Sequence, residues 1–145
     1  MIRLLLTLCL LATLGSGVGA ATKDGRARKK IMLDKNFVLR MGQEVLLADQ
    51  KLKIKFVSVP EDSRCPTGVN CIWAGNARVV LQVSRTTGKP VKLELNTNSR
   101  EATDGAEGGC GLYRIKLVEV APYPVEGQTI APPSYAVTLV VSKKS

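Results

Sequence analysis

KLKIKFVSV, residues 51–59, is the stretch whose reading decides the fold. Leu52, Ile54 and Phe56 fall on one side of an extended chain, and Lys51, Lys53 and Lys55 on the other. Side chains alternate across a strand with a period of two, so this pattern gives one apolar face and one solvated face. The three lysines project at intervals of about 7 Å.

The same alternation recurs on both sides. Towards the N-terminus, FVLRM at 37–41 and EVLL at 44–47 are short apolar runs punctuated by Gly42, and residues 48–50 read as a turn. Towards the C-terminus, Val79, Leu81 and Val83 share a face within residues 77–85, and Val91, Leu93 and Leu95 repeat the pattern after TTGK at 86–89. A connection that short predicts antiparallel pairing. Residues 96–111, NTNSREATDGAEGGCG, read as a long polar loop. Tyr113, Ile115 and Leu117 then alternate with Arg114 and Lys116 in a strand over 111–120. A proline-rich connection follows at 121–134, and residues 135–141 form the last alternating run. About seven strands and no amphipathic helix predict an all-β fold. Two packed antiparallel sheets, an immunoglobulin-like sandwich, are the expected architecture, with a small β-barrel as the alternative.

The chain starts with one positive charge, Arg3, an apolar run over 4–14, and small residues ending at Ala20. That order is a secretory signal peptide, residues 1–20, cut after Ala20. The apolar run falls short of the ~20 residues a membrane span needs. Leu8 before Cys9 is too bulky for a lipidation box, so Cys9 leaves with the leader. Cleavage lowers the formal charge from +9 to +8. Residues 21–36 read as a flexible basic arm, and 37–145 as a single β-sandwich domain. The expected location is periplasmic or extracellular, with no transmembrane segment in the mature chain.

EDSRCPTGVNCIWAG, residues 61–75, stands apart from the strands. Cys65 and Cys71 are separated by five residues that include Pro66 and Gly68, which favour a turn and let the ends meet. Export makes a disulfide plausible chemistry. A Cys65–Cys71 bond would close a tight loop worth about 2–3 kcal/mol on the chain-entropy model. Cys110 offers two other pairings, so three connectivities stay open. Trp73, the one tryptophan, is placed to pack on the bridge or cap the sandwich end. Asp62 is placed to accept bonds from following amides and to pair with Arg64.

This segment, with CIWAGNA at 71–77, the VAPYP run at 120–124 and a final Tyr-led strand, resembles a family of small exported bacterial β proteins and lipoproteins. The resemblance spans about residues 37–141 and implies compartment and fold class, with no activity attached. The lipidated cysteine of the lipoprotein members has no counterpart here.

The chain has no histidine. That removes Ser-His-Asp and Cys-His catalysis, the commonest general base and the commonest zinc ligand. No phosphate-binding glycine loop occurs. No catalytic residue, metal or cofactor is expected. The reading is a non-enzymatic binding or adaptor domain of the bacterial envelope. Its contact residues are Asp62, Arg64 and Trp73, and its partner is a protein or an anionic envelope polymer. A basic face of Lys51, Lys53, Lys55, Arg114 and Lys116 would favour the polymer. No aromatic residues interleave these cations, so nothing marks a specific nucleic-acid site. One alternative is a protease inhibitor presenting residues 66–70. Another is a thiol or redox protein using a free Cys110, although the Cys65 and Cys71 spacing differs from the C-x-x-C of redox pairs.

Overall fold

In the computed structural model the alternating lysine stretch is the start of the longest strand. The structure describes residues 31–144 apart from 48, 50, 86 and 99–106. The signal peptide and residues 21–30 of the arm therefore lie outside the described residues.

Eight strands form two four-stranded antiparallel sheets. They are β1 (Phe37–Arg40), β2 (Glu44–Leu47), β3 (Leu52–Asp62), β4 (Ala77–Arg85), β5 (Val91–Asn96), β6 (Glu107–Cys110), β7 (Tyr113–Ala121) and β8 (Ala136–Lys143). One sheet runs β2-β3-β4-β5 and the other β1-β8-β7-β6. The sheets do not close into a barrel, and their apolar faces pack on each other as a β-sandwich. Leu52, Ile54, Phe56, Val79, Leu81, Val83 and Leu95 line one side of the core. Phe37, Leu39, Ile115, Leu117, Val137, Leu139 and Val141 line the other. Among the described residues no helix is long and apolar enough to cross a membrane.

The likeness to an immunoglobulin domain is one of architecture. The order of strands differs: among the described strands, neighbours in each sheet are consecutive in the chain except where β1 pairs with β8, where an immunoglobulin domain uses Greek-key crossings. Strand β6 corrects the reading of 96–111 as loop throughout. Glu107, Gly108, Gly109 and Cys110 pair with Lys116, Ile115, Arg114 and Tyr113. Gly111, at φ +60°, and Leu112 make the two-residue turn between them. The arm is corrected too, as far as it is described. Ile31 is buried in the core and the Asp34 N–H donates to the Val141 carbonyl at 2.9 Å, so residues 31–36 lie along the body.

Three irregularities shape the end of the sandwich that matters below. Register shifts follow Phe56 and Ser58 in β3 and Leu117 in β7. An extra residue reverses which side chains face inward. Glu119 is therefore exposed and Val120 buried. Both strands then carry past the core, bringing Asp62 and Ala121 to the same end.

The basic face is divided by this topology. Lys53 and Lys55 stand on the outer face of the β2-β3-β4-β5 sheet, where Glu44 lies opposite Lys55 and pairs with Lys53 at 3.4 Å. Lys51 precedes β3 with a left-handed φ of 50°. Arg114 and Lys116 are exposed on β7, in the other sheet. Packed sheets turn their outer faces in opposite directions, so these cations do not form one surface.

Candidate functional site

Asp62 ends β3 and Arg64 follows two residues later, both nearly closed to solvent. Their contact is a two-pronged ion pair. Arg64 Nε donates to Asp62 Oδ1 at 2.8 Å and Nη2 to Oδ2 at 2.6 Å. The planar guanidinium fork matches the two carboxylate oxygens. The Arg64 backbone N–H donates to Oδ1 at 3.3 Å, and the Tyr135 hydroxyl to Oδ2 at 3.0 Å. On its far side, Arg64 Nη1 donates to the Val120 carbonyl at 2.5 Å and Nη2 to the Pro122 carbonyl at 2.9 Å. The Tyr123 ring covers the guanidinium, with its centroid 5.1 Å from Cζ. One side chain therefore joins the ends of β3 and β7, the cis Ala121–Pro122 turn and, through Asp62, the start of β8.

Burial by itself would raise the Asp62 carboxyl. The bonds from Arg64 and Tyr135 and the adjacent positive charge outweigh it and hold the carboxyl below its ordinary range. Tyr135 moves the other way: burial, and then its bond to the Asp62 anion, raise the phenol above its ordinary value.

Two further ties fix the segment after Arg64. Thr67 pairs with Val125 in an isolated parallel bridge, with Thr67 N–H donating to the Pro124 carbonyl at 2.9 Å and Glu126 N–H to the Thr67 carbonyl at 3.2 Å. On the return limb, Ser63 N–H donates to the Asn76 carbonyl at 2.7 Å and Cys65 N–H to the Ala74 carbonyl at 3.0 Å. Asn76 Nδ2 donates in turn to Asn96 Oδ1 at 2.8 Å, and its Oδ1 accepts from the Asn98 N–H at 3.1 Å. Gly75 has a left-handed φ of 73°, and a Cβ there would overlap the Ser63 carbonyl. Only glycine lets the two limbs approach this closely.

Above this base, Cys65 and Cys71 form a disulfide with Cα atoms 5.9 Å apart. Ile72 and Trp73 follow it, 92% and 71% exposed. Val69 on the same loop and Tyr123 and Val125 on the neighbouring connection are also exposed. Trp73 neither covers the sandwich end nor is shielded by the bridge, as its position in the sequence had suggested. Of the three expected contact residues, Asp62 and Arg64 lie inside the base and Trp73 stands on the surface above. Tyr135, Tyr123, Ile72, Gly75 and Asn76 belong to the same assembly and carry no local sequence signal of it, except that Ile72 is a bulky apolar residue in a turn-rich stretch.

Cys110 is a free thiol, partly buried at the end of β6 beside the start of β7, whereas Arg64 meets β7 at its finish. It lies at the other end of the sandwich from the disulfide, and the question of connectivity closes on Cys65–Cys71. The chemical character of the loop end is thus an apolar and aromatic tip on a polar base whose ion pair is engaged internally. Neither a family model, nor a curated protein, nor a solved structure matches the chain.

Proposed function

We propose that the protein is an exported, non-enzymatic binding module that captures a partner through the tip formed by Ile72 and Trp73. The observation that carries this reading is the pair of large apolar side chains standing in solvent on a cross-linked loop. Exposed tryptophan is costly to leave in water and is over-represented among residues that dominate binding. The base beneath it is already ordered, so less conformational freedom is lost on association. Asp62 and Arg64 serve as positioning residues, and Trp73 as the contact. Export is supported by the leader-like residues 1–20 and by the disulfide, which belongs to oxidising compartments. A protein of the bacterial envelope is favoured over an anionic polymer because the tip is uncharged.

The test is capture from an envelope extract by the immobilised protein. Trp73→Ala and Ile72→Ser should abolish recovery of the captured species, with the urea midpoint unchanged. Equal recovery by both variants would reject the tip. A protease panel addresses the inhibitor reading: slow, dose-dependent inhibition with residues 66–70 left intact would transfer the function to that segment.

A further inference from the structure

We infer that the Cys65–Cys71 bond is a reducible clasp on the tip and not a staple of the fold, so that a dithiol can release residues 68–73 while the sandwich persists. Residues 63–67 and 74–77 are held to the body by the Arg64 ion pair, the Thr67–Val125 bridge and the Ser63–Asn76 bonds. None of these passes through the disulfide. Residues 68–73 are different. Every one is exposed. Among the described residues, none is hydrogen-bonded to the body, apart from a 3.6 Å approach of the bridged Cys65 sulfur to the Val69 carbonyl. Apolar burial does not hold them either, since Ile72 and Trp73 stand in solvent. Beyond their chain ends, anchored at Thr67 and Ala74, the disulfide is the tie that fixes them. Cys71 is itself exposed, so an attacking thiolate can reach it.

The reaction balances as ordinary exchange with a dithiol. One reductant thiolate attacks the Cys71 sulfur and expels the Cys65 thiolate, leaving a mixed disulfide. The reductant's second thiol displaces Cys71 and closes its own disulfide. The dithiol is oxidised, and the protein gains two electrons and two protons as two thiols. This regulation rests on the binding reading for its purpose, since it loosens the surface that makes contact. The conformational claim stands without a partner.

The distinction between clasp and staple is measurable. A cross-link at a sequence separation of 6 restricts the unfolded chain so as to raise the folding constant about 50-fold on the chain-entropy model. If the tip becomes mobile in the folded protein, the native state recovers much of the same freedom, so opening a clasp should lower the constant by less than about tenfold. The experiment treats the protein with dithiothreitol. It counts alkylatable thiols and measures backbone order parameters, tryptophan anisotropy and the urea transition. Two added thiols, a drop in the order parameters of 68–73 from about 0.85 to below about 0.6, and unchanged values in β3, β4 and β8 support the clasp. The Cys65→Ser/Cys71→Ser double variant should reproduce that state without reductant. Global unfolding, a loss near 50-fold, or an equally rigid reduced tip would each overturn it. If the tip loosens but capture never depended on Trp73, the binding reading fails and the clasp stands. If capture requires Trp73 but the reduced tip stays rigid, the reverse holds.

Discussion

Arg64 is a charged side chain placed where little water reaches it, and its setting decides what its loss would do. Removing one partner of a buried ion pair leaves the other charge uncompensated, which costs about 3–5 kcal/mol. Arg64→Ala also deprives the Val120 and Pro122 carbonyls of their donor. Chemical denaturation should show a loss of that size, and Arg64→Lys should recover little, because an ammonium lacks the fork that spans both Asp62 oxygens. Tyr135→Phe should cost less, about 1.5–3 kcal/mol, since it removes one hydrogen bond to a carboxylate and keeps the ring. Asp62 adds a pH dependence. Its folded carboxyl titrates below the ordinary aspartate range. Its stabilisation is therefore fully present above that range and is lost as pH falls through the lower, folded value. Urea midpoints between pH 5 and pH 2 should fall more steeply for the wild type than for Asp62→Asn, and parallel slopes would contradict this account.

At the scale of elements, the two limbs around the disulfide meet through Gly75. Gly75→Ala combines a strained left-handed φ with an overlap on the Ser63 carbonyl, so the limbs must separate. The expected result is a loss of stability of about 1–3 kcal/mol together with weaker amide protection at Ser63 and Cys65. Native protection at both amides would show that the limbs accommodate the methyl group. The strands were legible wherever burial imposed alternation: β8, and β3 and β7 up to their register shifts, put their apolar residues where period two places them, whereas Val80 in β4 is buried on the expected outer face and Val91 in β5 is exposed on the expected inner one. Strand β6 was not legible, because Glu107-Gly108-Gly109-Cys110 has two glycines and no apolar face, and its pairing with β7 runs through the backbone. The loop end was legible in part. The turn chemistry of Pro66 and Gly68 pointed to the Cys65–Cys71 ring, and Asp62 beside Arg64 pointed to their ion pair. Tyr135 lies 73 residues from Asp62. A hydroxyl that distant in the chain leaves no trace in local spacing.

At the scale of the whole molecule, a formal charge of +9 invites a single basic surface, and the sandwich divides it. Glutamates further dilute one side, with Glu44 pairing Lys53, and Glu94 pairing Arg78 and Lys92. Binding to a long polyanion should therefore respond independently to the two faces. Lys53→Gln/Lys55→Gln and Arg114→Gln/Lys116→Gln should weaken it by factors that multiply, within about 0.5 kcal/mol of additivity in titrations at fixed salt. Strong coupling between the pairs would indicate one shared site. The β1–β8 pairing gives the fold a different vulnerability. Among the described strands every other ladder joins chain neighbours and can zip as a hairpin soon after its residues leave the ribosome. The β1–β8 ladder joins Phe37 to Leu139, about a hundred residues apart. Closing so long a loop is an entropic cost that no local contact repays first. During synthesis β1 must therefore wait, its backbone groups unpaired and Phe37 and Leu39 uncovered, until its partner strand has been made. That interval is when a chaperone or a neighbouring nascent chain has its opening.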